Sequence, residues 1–214
     1  MKKIKVAILL DKSNNWLEPT TRYFVKNFKK SKYNFKIFYK YEFIKKYTIV
    51  FVLGNTKIIE SGLLKRNTLN LAVHESALPK NKGFSPIQYQ VLKKQKIIQT
   101  CLINLNDKVD SGDIYEKSKI KLNGLELYDE IRKKQSNNTF YLINNFLKKY
   151  PKINKIKQSG KSNFLKKRYP KDSKLNINRS IKDNFNLLRI SNNKSWPAFF
   201  MYKGQKFIIK IFKK

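Results

Sequence analysis

The feature that most constrains this chain is a set of short, almost unbroken apolar runs set apart by polar, helix-forming stretches. Ile4 to Leu10 (IKVAILL), Tyr47 to Gly54 (YTIVFVLG) and Leu69 to His74 (LNLAVH) are rich in β-branched residues and barely alternate. Strands read this way when both faces are covered, as in a parallel sheet between helices. Asn34 to Lys40 (NFKIFYK) alternates like a strand, and TCLINLND, from Thr100, supplies another. Between them lie an amphipathic stretch with Pro19 near its start and a short segment, IIESGLLKRN. A helix follows Ser85 and Pro86, with Ser85 placed to cap it and Gln88 as its capping partner. GLELYDEIRKKQSNNTFYLINNFLKKYP shows helical spacing and stops at Pro151. The expectation is an α/β, Rossmann-like fold over residues 1–150 with a mostly parallel sheet flanked by helices. Residues 151–170 read as a linker or irregular crossing. Residues 171–214 read as a small C-terminal extension of one helix (SIKDNFNLLRIS) and a β-hairpin turning between Tyr202 and Gln205.

Composition narrows the partners without choosing one. The 214 residues suffice for one core, and 41% hydrophobic with 14% aromatic residues argue against a disordered chain. The net charge of +34 fits a polyanionic partner. It fits as well an AT-rich coding bias toward Lys, Asn, Ile, Tyr and Phe. The lysines are scattered rather than striped, which disfavours a nucleic-acid binder. One cysteine, Cys101, excludes an internal disulfide, and one histidine with no cysteine cluster excludes a typical zinc site. The basic start carries an apolar run cut short by Asp11, too short for a signal peptide, and no run approaches a membrane span. The expected location is cytoplasmic.

The single histidine, His74, falls at the carboxyl end of a strand, where α/β sheets place their ligands. Asn70 and Ala72 share its face. Asp110, in VDSGD after the next strand, is expected to emerge at the same edge. A carboxylate beside an imidazole orients the ring and favours its charged form, which suits acid–base work. Position alone leaves a structural histidine the commoner reading.

The ordered set HESALPKNKGFSPI, then Thr100 in a strand, then VDSGDIY resembles the folate-dependent formyltransferases. Their pattern is His-x-Ser-x-Leu-Pro, three residues, Gly-x-x-Pro, and then Asp-x-Gly. His74, Ser76, Leu78, Pro79, Gly83, Pro86, Asp110 and Gly112 match it in order and spacing. The tail, RYPKDSKLNINRSIKDNFNLLRI with WPAFF after it, also resembles that family. The resemblance implies transfer of a formyl group from the co-substrate 10-formyltetrahydrofolate to an amine, with His74 and Asp110 as the acid–base pair and no metal. The family carries an asparagine two residues before the histidine, where this chain has Ala72; Asn70 is the nearest substitute, about 7 Å further back along the strand. By the same resemblance, Leu53, Gly54, Thr56, Ser111 and Gly112 would hold the folate. Ser13, Asn14, Asn15 and Trp196 would hold the acceptor. Lys80 and Lys82 flank the catalytic loop and could steer an anion. The chain lacks room for the C-terminal barrel of tRNA-modifying relatives. The resemblance therefore points to a nucleotide-linked amino sugar as acceptor, used in surface polysaccharide synthesis. A methionyl-tRNA formyltransferase-like enzyme, a formyltetrahydrofolate hydrolase and a basic nucleic-acid-binding protein are the alternatives. The apolar C-terminal hairpin points to burial against the main domain or in a homodimer.

Overall fold

A computed structural model describes residues 3–28 and 31–214, apart from the side chains of Asn14 and Asn15. In chain order the elements are β1 (Ile4–Leu10), α1 (Glu18–Asn27), β2 (Tyr33–Phe38), β3 (Ile49–Leu53), α2 (Ser61–Leu64), β4 (Leu69–His74), β5 (Lys82–Gly83), α3 (Pro86–Leu92), β6 (Ile97–Asn104), β7 (Ile114–Lys121), α4 (Tyr128–Lys149), β8 (Phe164–Leu165), α5 (Ile181–Ile190), β9 (Ala198–Tyr202) and β10 (Gln205–Ile209). Six strands form one sheet in the order β2-β1-β3-β4-β6-β7. β2, β1, β3 and β4 run parallel. β6 and β7 are antiparallel to their neighbours. This is the Rossmann-like arrangement expected from the apolar runs, with a mixed rather than uniformly parallel sheet.

The unbroken apolar strands are buried on both faces, as their composition requires. On one face Val6, Ile8, Phe51, Leu71 and Leu102 pack against α1 and α4, where the Phe24 and Phe140 ring centroids lie 4.8 Å apart. On the other, Ala7, Val50 and Val52 pack with Tyr41, Ile44 and Leu64. β7 was not legible as a strand. Half of its residues, IYEKSKIK, are charged and its lysines are exposed, as befits a sheet edge that must resist pairing with other chains.

One expectation changes in detail, and one alternative is resolved. Ser85 does precede α3, but it adopts a left-handed conformation (φ 56°) and its side chain makes no cap hydrogen bond. Residues 151–170 do more than link, for they cross back over the main domain. β8 pairs parallel with β5, and Ile156 bridges Ile114. The C-terminal extension has the expected elements: Ser180 caps α5 by accepting from the Asp183 N–H, and β9 and β10 form an antiparallel hairpin. The expected burial of that hairpin against the main domain is not found for its second strand, since every residue of β10 is exposed.

A buried ion pair ties the extension to the main domain. Arg189 of α5 meets Glu126 at 3.0 Å, and both side chains are almost fully buried. Arg189 Nε also donates to the Glu126 carbonyl (2.8 Å). Burial alone would raise the Glu126 pKa. Hydrogen bonds from Lys134 and from the backbone N–H groups of Asn123 and Gly124 outweigh it, so the carboxyl is pulled down to about 2. The same burial lowers the pKa of Arg189.

Candidate active site

β4 ends at His74, which is 6% exposed. Its Nδ1 lies 3.3 Å from Asp110 Oδ2. Its Nε2 lies 2.8 Å from the carbonyl oxygen of Asn81. A carbonyl can only accept, so that contact requires a proton on Nε2. A ring with protons on both nitrogens satisfies both neighbours, while a neutral ring gives up one contact. That is the arrangement of a group that can take and return a proton.

Asp110 reaches His74 by a route other than the expected one. A parallel β6 would have delivered it to the carboxyl edge of the sheet. Instead β6 runs antiparallel to β4, pairing Cys101 with His74 and Asn104 with Leu71. The strand therefore leads away from His74, and the 105–113 loop must return. Three contacts fix that return. Asp110 Oδ2 accepts from the Gly83 N–H at 2.7 Å. Gln158, from the crossing segment, donates to the carbonyls of Asp110 (2.8 Å) and Gly112 (2.9 Å). Gly112 presses against the Asn104 carbonyl so closely that a Cβ there would lie 1.8 Å from that oxygen. Gly83 is equally constrained, with φ +90° and the Leu165 carbonyl 2.7 Å from any added Cβ.

His74 and Asp110 open onto a cleft of about 680 Å³. That volume is typical of a site for a sizeable ligand. Of the residues expected at the folate site, Leu53, Gly54 and Thr56 line the cleft. Ser111 and Gly112 stand behind it: Ser111 Oγ donates to Lys108 O and Asn106 Oδ1, holding the loop. Ser13 and Trp196 line the cleft as well. Ser13 Oγ already donates to Asp11 (2.6 Å). Asn14 and Asn15 lie in a 3₁₀ turn, Lys12–Leu17, and their side chains fall outside the described residues.

Asn70 does not take the place of the family asparagine. Its Oδ1 accepts from the Tyr41 hydroxyl and its Nδ2 donates to Leu64 O at 2.9 Å, so both ends of the amide are held within the fold. Ala72 stands between it and His74 and lines the cleft. The alternation that puts the three residues on one face is correct, but two residues of strand are too long a step for the amide to bridge.

Several site residues were not singled out from the sequence. Asp11 closes the loop after β1 onto the loop after β3, accepting from Thr56 Oγ1 at 2.7 Å. Burial would raise its pKa, but hydrogen bonds from Ser13 and Thr56 lower it overall. Its signal was a lone acid breaking an apolar run. Glu75, Arg132, Gln135 and Arg168 also line the cleft. Arg132 and Gln135 had a signal in the three-residue helical spacing that puts both on one face of α4.

A model of the formyl transferase family matches residues 19–141. The bifunctional polymyxin resistance protein ArnA of Wigglesworthia glossinidia brevipalpis is 32% identical over 165 residues, which are 75% of this chain and 25% of that protein. The present chain thus spans a quarter of that relative's length. Among solved structures, a methionyl-tRNA formyltransferase from Clostridium thermocellum superposes with a TM-score of 0.84 at 21% identity, covering 97% of this chain and 92% of that one. A sugar N-formyltransferase from a Shewanella species superposes at 0.71 and 15% identity, covering 97% of each. With more than half its residues matched by the family model and a His–Asp pair set in a cleft, the chain belongs to the formyl transferase family.

Proposed function

We propose that the protein transfers a formyl group from 10-formyltetrahydrofolate to the amine of a nucleotide-linked amino sugar. The observation that carries the formyl-transfer part of this reading is the His74–Asp110 contact of 3.3 Å inside a cleft of about 680 Å³, in a chain of this family. The cleft fits a donor of folate size, with Leu53, Gly54 and Thr56 along it. When bound, the donor supplies an activated formyl carbon. The remaining chemistry belongs to the chain. His74, neutral and freed of one neighbour, takes the proton from the attacking amine, and Asp110 fixes the ring and stabilises its charged form. Charged His74 then faces the negative charge that develops on the formyl oxygen. With Ala72 in place of an asparagine and Asn70 engaged elsewhere, that oxygen has one side-chain donor fewer than the family pattern provides.

Methionyl-tRNA is the second acceptor considered. Length does not separate the two, since the Clostridium thermocellum chain is matched over 92% of its extent and the Shewanella chain over 97%. The test is to incubate the protein with 10-formyltetrahydrofolate and, separately, dTDP- and UDP-linked amino sugars, methionyl-tRNA and buffer. Tetrahydrofolate release with an amino sugar supports the proposal. Release with methionyl-tRNA alone redirects it, and formate release in buffer identifies a hydrolase.

A further inference from the structure

The residue after His74 is the start of a charged relay that the acid–base pair does not use. Glu75 lines the cleft, half-buried, and its Oε1 accepts from Gln135 Nε2 at 2.5 Å. Gln135 Oε1 in turn accepts from Arg132 Nη1 at 2.8 Å. A carboxylate and a guanidinium thus stand on one wall of the cleft, separated by a single amide. Gln135 is buried, which fixes that spacing.

Among the described residues neither charge is neutralised by a direct partner. The chain carries 48 basic residues against 14 acidic ones, so a free carboxylate has lysines to choose from. Yet among the described residues Glu75 takes part in no ion pair, and its second oxygen has no hydrogen-bond partner. Arg132 likewise meets no acid. It lies between the rings of Trp16 (4.8 Å) and Tyr128 (5.1 Å), and with the Gln88 amide turned so that its oxygen faces the guanidinium, its Nη2 donates to Gln88 at 2.9 Å. Beside it the indole Nε1 of Trp16 is buried without an acceptor. A buried donor of this kind is uncommon and leaves the indole without a hydrogen bond of its own beside the guanidinium.

The geometry points to Glu75 and Arg132 as the acceptor-recognition pair. Glu75, adjacent to His74, receives the acceptor's ammonium group. Arg132, which lines the cleft, receives an anionic group such as a phosphate on the same small molecule. The acceptor class is an amine with a phosphate no further away than two hydrogen bonds and an amide. The bound ammonium must lose its proton before it attacks, and Glu75 delivers it within reach of His74. This rests on the formyltransferase reading and deepens it.

The test is calorimetric binding in the presence of folinic acid. The probes are dTDP- and UDP-linked amino sugars and their hydroxyl counterparts, dTDP-glucose and UDP-glucose. Glu75→Gln should weaken the amino-sugar nucleotides about tenfold or more and leave the hydroxyl counterparts unchanged. Arg132→Gln should weaken both classes. Folinic acid affinity and the melting temperature report whether each variant keeps its fold; Glu75→Asp, which keeps the charge, should recover part of the loss. If Glu75→Gln weakens both classes equally, or neither, the assignment is wrong while the formyltransferase reading stands. If no amino-sugar nucleotide binds the wild-type protein, the acceptor reading and this pair fall together.

Discussion

His74 Nδ1 and Asp110 Oδ2 lie 3.3 Å apart although the strand between them leads away from the histidine. The pair exists because the 105–113 loop is pinned on its return by Gly83, Gln158 and the bare α-carbon of Gly112. Asp110→Asn can still accept from the Gly83 N–H but cannot stabilise a charged imidazole. Formyl transfer should drop by about 10²- to 10⁴-fold with the melting temperature nearly unchanged, measured by steady-state kinetics alongside thermal unfolding.

Gly112→Ala should act on the same pair from behind. A methyl group at this position collides with backbone rather than with a movable side chain, so the loop must shift. Turnover should fall at least tenfold, accompanied by a lower melting temperature. Unaltered kinetics in the variant would mean that the loop does not hold Asp110 in place.

Ala72→Asn restores the amide that the family pattern places beside the histidine. Ala72 lines the cleft, so the longer side chain has open space. A preorganised donor at the formyl oxygen is typically worth about 10²- to 10³-fold in rate. The variant should raise kcat with little change in the KM for the donor. An unchanged kcat would show that another group already occupies that role.

The Glu126–Arg189 pair predicts how stability varies with acidity. The Glu126 carboxyl titrates at about 2 in the folded protein, against an ordinary value of 4.5. A lowered folded-state pKa gives stabilisation that is complete above about pH 4.5 and is lost as the pH falls toward 2. Glu126→Gln leaves a buried guanidinium without its counter-charge, so at pH 7 it should cost about 3 kcal/mol in urea unfolding. The gap between variant and wild type should close across that acidic window.

The parallel half of the sheet was legible because burial on both faces leaves no room for polar alternation, and IKVAILL and LNLAVH show it directly. β7 was not, because an exposed edge strand rich in lysine reads like a solvated loop. His74 and Asp110 were found from order and spacing, but the path joining them was not, since strand direction depends on pairing partners far along the chain. Asn70 was placed on the correct face. What the pattern could not show is that Tyr41 and Leu64 already hold its amide. Glu75 and Arg132 were missed because single charges in a chain this basic look like surface until the amide between them is seen.

The most direct measurement follows the formyl group itself. Protein, isotopically labelled 10-formyltetrahydrofolate and an amino-sugar nucleotide are mixed, and the labelled amide is quantified by mass spectrometry for wild type and His74→Ala. The account predicts labelled product from the wild type. From the variant it predicts almost none, although folinic acid should still bind. Product formed by His74→Ala at the wild-type rate would contradict it.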